Sequence, residues 1–452
     1  MRSAGRIGPN VTGPEEHLES DLRKLECHFT WDLKKEDTDL PFLEVKLHDI
    51  VSIPLDSENN LKGRAYNYLA YVKHLQGMND KALDFLNKAV EENVDNAKHR
   101  IVTYANLAWV HHLMGNYSKA QGYLKNVEEI KESFSTHPPE ILPCEILGEK
   151  AWSLLKFSKK HHEEAKECFY EALQRDPDSK EWNTGYAISL FKLEGLRIMG
   201  GTKVLISESP AAKQLLKALS LHPDNAIIMV YLGYKYQNNG DKLEAWKYIR
   251  KALDTAPCNL SVVLKAAKSF KKVHSYDMAL QALNTMLERA PNSSRLHHEI
   301  ACNYRWKAIR EVGNIPRTSQ KYPEDYKTFI HLCIYHLEKE VHLNPSYIYP
   351  QLELAMRYAD IQDLQKATDI FQRIFALPDL RPAEKQSLHR MYGDFQSRHI
   401  RSVTNAIEHY KEGMKLQNIS SDWKKCRARL IKISALLLTI ISLLCMAPKH
   451  AK

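Results

Sequence analysis

The usual signatures of catalysis are missing from this sequence. No Gly-rich phosphate loop opens a helix, and neither G-x-S-x-G nor H-E-x-x-H occurs, which removes the P-loop, nucleophile-elbow and zincin routes to chemistry. The eight cysteines (Cys27, Cys144, Cys168, Cys258, Cys302, Cys333, Cys426 and Cys445) form no C-x-x-C pair. That usage fits reduced, mostly buried thiols of a cytosolic protein better than disulfides or a zinc site. The doublets His111-His112, His161-His162 and His297-His298 have the wrong spacing to share a helical face as metal ligands. The expectation is therefore no enzyme, no metal and no cofactor.

Long apolar runs are also scarce. The first twenty residues contain no hydrophobic core that a secretory signal needs, so sequons such as Asn116-Tyr117-Ser118 read as silent. The longest uncharged apolar stretch, ISALLLTIISLLCMA at 433–447, has fifteen residues. A spanning helix needs about 20. A cap over the end of the fold is the preferred reading, and a membrane anchor the lesser one.

What is present is a soluble, folded composition, 44% hydrophobic and 26% charged over 452 residues, with a formal net charge of +9. So long a chain is several domains or a repeat array. The repeat is visible: Pro223, Pro257 and Pro291 stand 34 residues apart, as do Ala211, Ala245 and Ala279. Met229, Leu232, Gly233, Tyr236, Ala245, Ile249, Ala252 and Pro257 fill the slots of the tetratricopeptide pattern in order. Small residues let two helices approach, large ones fill the space between them, and the proline stops the second helix. The fold class is all-α, a superhelix of helix-turn-helix repeats over 21–417. A disordered segment precedes it at 1–20 and an atypical basic, then apolar, tail follows at 418–452. Between Pro177 and Pro223, and between Pro291 and Pro345, the period lengthens by 12 and 20 residues. Inserts near 195–210 and 311–325 should form long turns or extended helices at the edges of a groove.

First helices of such arrays line a concave surface that binds extended partners. Here they carry Lys150, Lys156, Lys192, Lys235, Lys265, Lys268 and Lys271, interleaved with Trp152, Trp182, Tyr186, Tyr234 and Tyr304. Cations for phosphates beside aromatic faces for bases suit a single strand of nucleic acid. The same residues also suit a peptide groove, the commoner use of these repeats. Trp152 and Lys156 are four apart and share a face, but the spacing does not decide between packing and ligand contact.

The stretches CHFTWDL (27–33), NYLAYVKHLQGMNDKAL (67–83), YANLAWVHHLMG (104–115), WSLLKF (152–157), GYAISLFKL (185–193), AAKSFKK (266–272) and LHHEIACNYR (296–305) carry more. With them, the region from about residue 20 to about 417 resembles the interferon-induced proteins with tetratricopeptide repeats. That resemblance implies a cytoplasmic antiviral protein whose basic tunnel grips the 5′ end of foreign single-stranded RNA, a triphosphate or an incompletely methylated cap. Family paralogues or a second copy are further candidate partners, and neither DNA nor a membrane is expected. A repeat scaffold for protein partners in innate immune signalling is the alternative.

By position, the resemblance sets Trp152 beside the terminal base or cap, with Leu155 and Ile188 as apolar neighbours. Lys156 falls on a phosphate contact, and Glu181 and Tyr186 line the same pocket. Lys46 and Lys192 stand where relatives often have arginine, Lys268 and Lys271 lie along the RNA path, and His298 is on it. Departures are His162 for a usual tyrosine, Ile50 and Glu299 for glutamines, and Leu264 for an arginine. Lys192 gives up the planar fork of arginine and Leu264 removes a cation, so a lower affinity or a different preferred 5′ end is implied.

Overall fold

The computed structural model describes residues 14–52, 61–93, 97–133, 143–199, 204–313, 324–416 and 420–446. Helices α1 (Pro14–Leu22) and α2 (Leu40–Ser52) lead into successive helix pairs: α3 (Leu61–Leu75) and α4 (Asn79–Glu92), α5 (Ala97–Leu113) and α6 (Tyr117–Ser133), α7 (Cys144–Phe157) and α8 (His162–Arg175), α9 (Lys180–Met199) and α10 (Pro210–Leu221), α11 (Ala226–Asn239) and α12 (Lys242–Thr255). Then come α13 (Leu260–Lys272) and α14 (Tyr276–Arg289), α15 (Ser294–Gly313) and α16 (Glu324–Leu343), α17 (Ile348–Asp360) and α18 (Leu364–Phe375), α19 (Pro382–Phe395) and α20 (Val403–Lys415), and a last helix α21 (Ser421–Met446). The all-α expectation holds, with no strand among the described residues. The chain divides into two compact units, Met1–Ser269 and Phe270–Lys452.

The periodic residues do the steric work expected of them. Pro177, Pro223, Pro257, Pro291 and Pro345 each stand two residues past the end of α8, α10, α12, α14 and α16. The residue before the proline leaves the helical region: Asp176, His222, Ala256 and Ala290 have φ between −133° and −140°, as the proline ring demands of its neighbour. Gly233 admits Ile249, whose Cδ1 would lie 2.7 Å from a Cβ at that position. A larger residue there would force α11 and α12 apart.

The CHFTW stretch threads the core of the first unit. His28 is fully buried, with Nδ1 3.0 Å from Asn106 Nδ2 and Nε2 3.2 Å from Ser153 Oγ. Burial pushes its pKa down to about 3, so a neutral imidazole ties α5 to α7. Tyr71 donates to the Leu33 carbonyl at 2.9 Å. In the second unit a separate core gathers Ile330, Leu352, Phe371 and Phe395.

The long-period region at 195–210 lengthens α9, which runs to Met199 and has 20 residues where its neighbours α8 and α11 have 14; residues 200–203 lie outside the described part, and a short 3-10 turn, Ile206–Glu208, precedes α10. In the second such region α15 also has 20 residues, and residues 314–323 lie outside the described part. The segment ahead of the apolar stretch, the first half of α21, packs on α19 and α20. Cys426 is buried, Trp423 donates to the Met414 carbonyl at 3.1 Å, and Arg429 pairs with Asp394 at 3.1 Å. Leu436, Leu437 and Leu438 face solvent. No helix among the described residues is long and apolar enough to cross a membrane.

Candidate functional site

The site in the first unit grows from the C-terminal end of α7. The last carbonyls of any helix lack intrahelical partners. Here the Leu155 carbonyl accepts from Lys192 Nζ at 2.8 Å, and the Phe157 carbonyl accepts from Thr38 Oγ1 at 2.9 Å. Those two bonds bring α9 and the chain ahead of α2 against the helix end. Between them lies a cavity of about 620 Å³, lined by Phe42 and Lys46 of α2, Leu155 and Lys156 of α7, Lys159 of the turn, His162 of α8, and Phe191, Lys192, Gly195 and Leu196 of α9.

The electrostatics of this cavity are lopsided. Lys46, Lys156, Lys159 and Lys192 converge on it, and of the two aspartates on its rim Asp37 is already bridged by Lys160. Lys46 Nζ lies 4.1 Å from the centre of the Phe42 ring, and Lys156 Nζ lies 5.8 Å from that of Tyr68. Burial, reinforced by the charge of Lys46, pushes Lys192 down to about 8. An ammonium held so far below its ordinary value is under-neutralised, and an anion delivered to the cavity would restore it.

Trp152, one turn before Lys156, sits outside that lining. Its half-buried ring meets the edge of Phe169, centroids 5.1 Å apart, and its indole N–H donates to Glu181 Oε1 at 3.0 Å. The same oxygen takes Arg64 at 2.5 Å. Glu149 lies fully buried alongside, bonded to Asn67 at 2.9 Å, and burial pushes its pKa up to about 7. Tyr186 packs against Tyr170, and Ile188 is in the core. The structure thus gathers Lys46, Leu155, Lys156 and Lys192 at one cavity and Trp152 with Glu181 beside it. Lys268 is exposed on α13. Lys271 and His298 belong to the second unit, where Lys271 pairs with Glu299 at 2.9 Å and His298 with Glu340 at 3.1 Å.

Comparison with known proteins places this architecture. Tetratricopeptide-repeat family models match residues 61–133 and 153–179. The human antiviral innate immune response effector IFIT1 is 34% identical over 96% of this chain and 92% of its own length. The mouse interferon-induced protein with tetratricopeptide repeats 2 is 32% identical over 94% and 88%. A solved structure, the human IFIT1 dimer with m7Gppp-AAAA, is 33% identical, covers 94% of this chain and 92% of its own, and has a TM-score of 0.67. A second, the human IFIT1 dimer with PPP-AAAA, gives 0.65 at the same identity. The chain belongs to the family of interferon-induced proteins with tetratricopeptide repeats.

Within the interferon-induced repeat family, the departures of this member acquire physical content. His162 lines the cavity as a neutral ring, its pKa pushed down to about 4 by burial, then by Lys192 and Lys159. Leu264 is a core residue, while Lys265 beside it lies over the Tyr231 ring at 5.8 Å. Ile50 packs partly against the core. Sequence reasoning missed Phe42, although its spacing of four from Lys46 on one face of α2 was a usable signal. It also missed Arg64, Asn67 and Glu149, whose association with Glu181 only tertiary packing creates.

Proposed function

We propose that this protein is a cytoplasmic antiviral binding protein that takes the 5′ end of single-stranded RNA, a triphosphate or an incompletely methylated cap, into the lysine-lined cavity, with no catalytic step. In this reading Lys46, Lys156 and Lys192 meet the phosphates and Leu155 gives an apolar wall. Trp152 supplies a ring held by Glu181, with Tyr186 and Ile188 behind it, and Lys268, Lys271 and His298 meet the following nucleotides. The convergence of Lys46, Lys156, Lys159 and Lys192 on one cavity, with Lys192 depressed by burial, carries the proposal, because such a cavity selects an anion. Human IFIT1 in the matched structures holds m7Gppp-AAAA and PPP-AAAA, the anions that chemistry would select. Self-association belongs to the same reading, since human IFIT1 is a dimer there and α21 here presents Leu436, Leu437 and Leu438 outward. Family paralogues are the other candidate partners.

Filter binding to one RNA sequence ending in triphosphate, monophosphate, hydroxyl, cap or methylated cap tests this. A preference for triphosphate or unmethylated cap over hydroxyl is expected, with strong weakening by salt, a slope of about 0.7 per phosphate contact. Equal affinity for all five ends, or a salt-insensitive complex, overturns it.

A further inference from the structure

Helix α15 sets His298 and Cys302 four residues apart and so on one face. His298 Nε2 lies 3.6 Å from Cys302 Sγ, and its Nδ1 lies 3.1 Å from Glu340 Oε2 on α16. Glu340 is buried, the His298 side chain is 42% exposed, and Cys302 is partly exposed. The row therefore runs from a buried carboxylate to a thiol that a dissolved reagent can reach. A carboxylate on Nδ1 keeps the proton on that nitrogen and leaves Nε2 to accept one from sulfur, the geometry of an activated nucleophile.

The other thiols among the described residues are placed differently. Cys27 and Cys333 are buried and pushed up to about 12, and Cys168 and Cys426 to about 11, all by burial first. Cys144 lies 3.9 Å from the Ala172 carbonyl. Cys258 is as partly exposed as Cys302 but has no imidazole against it among the described residues.

We propose that Cys302 is a reactive thiol, activated by His298 and oriented through Glu340, that exchanges with low-molecular-weight disulfides of the glutathione class. Nε2 takes the thiol proton, giving thiolate and imidazolium. The thiolate attacks one sulfur of the incoming disulfide, the Cys302 Sγ–S bond forms, and the original S–S bond breaks. The departing thiolate takes up the proton from the imidazolium, so the protein gains a mixed disulfide and one small thiol is released. Burial works against charge on His298, but Cys302 and Glu340 outweigh it and hold its pKa well above the ordinary imidazole value. The other charged groups around the row are Glu299, paired with Lys271, and Glu353, paired with Arg305.

The test uses the full-length chain with glutathione disulfide, followed by peptide mass spectrometry to give a rate for each cysteine. At pH 7 Cys302 should react about 10-fold faster than Cys258, since an unactivated thiol is only a few per cent thiolate there. His298→Gln, a change at a side chain open to solvent, should bring Cys302 down to the rate of Cys258 and leave Cys258 unchanged. Should that variant melt early, the wild-type pH profile decides. A Cys302 rate that changes less steeply with pH than the Cys258 rate supports the assignment. Rates for Cys302 that equal those of Cys258, or fall with pH in parallel, overturn it.

Discussion

Lys192 in the first unit and three cations in the second are met by their neighbours in opposite ways. In the second, Lys271, His298 and Arg305 face Glu299, Glu340 and Glu353 at 2.9, 3.1 and 3.2 Å. In the first, Lys192 has a backbone carbonyl for a partner and a second lysine for a neighbour. Counting lysines along first helices therefore overstates the charge available to a ligand. What matters is whether a carboxylate has already met the cation, and Glu299 has met Lys271.

The largest expected effect breaks the comparison from the side of the first unit. Lys156→Glu replaces attraction by repulsion at an exposed position of the cavity, and should cost about 100-fold, or roughly 3 kcal/mol, for 5′-triphosphate RNA while sparing 5′-hydroxyl RNA. Equal losses for both ends would place Lys156 outside the phosphate site.

Trp152→Ala should remove about 1 to 3 kcal/mol of binding, chiefly for RNAs whose terminal base or cap rests on the ring. Because the indole also packs on Phe169 and bonds Glu181, the thermal midpoint is measured alongside. A strongly destabilised variant whose folded fraction still binds normally makes Trp152 a packing residue.

Glu299→Gln sharpens the comparison by releasing Lys271. Affinity for RNA should rise about 3-fold, and the salt slope should steepen by about 0.7 if the lysine then meets a phosphate. An unchanged slope removes Lys271 from the RNA path.

A smaller effect concerns pH. Free Lys192 loses its proton above about 8, and a bound phosphate would keep it protonated, so binding takes up a proton in that window. Affinity should therefore weaken as pH rises from about 8 toward the ordinary lysine value near 10.4, and Lys192→Gln should abolish that component. A wild-type titration parallel to that of the variant would mean that Lys192 does not meet the anion.

Much of the fold was legible because repeat packing is steric and periodic. Pro257 must stop α12 and Gly233 must admit Ile249 wherever the pattern recurs. The cavity was legible only through resemblance: nothing in the spacing of Lys46, Lys156 and Lys192, on three different helices, shows that they meet. Arg64, Asn67 and Glu149 escaped because their roles depend on burial. For Trp152 the choice between groove and core was posed too sharply, since a half-buried ring that packs on Phe169 and bonds Glu181 through its polar edge is compatible with either. For the tail, the described residues show the polar first half of α21 packed, with Leu436, Leu437 and Leu438 of the apolar stretch exposed.

One consequence follows from the length of α9. Its last six residues, beyond the 14-residue span of its neighbours, contribute Gly195 and Leu196 to the cavity next to Lys192, so the interruption of the period is itself part of the wall. At a rise of about 1.5 Å per residue, six added residues extend a helix by roughly 9 Å. That extension leaves the packing of Gly185, earlier on the same helix, against Phe169 of α8 untouched. Depth at the cavity and stability of the array are thereby written in separate stretches of sequence, and the depth of the cavity can diverge between relatives while the scaffold stays the same.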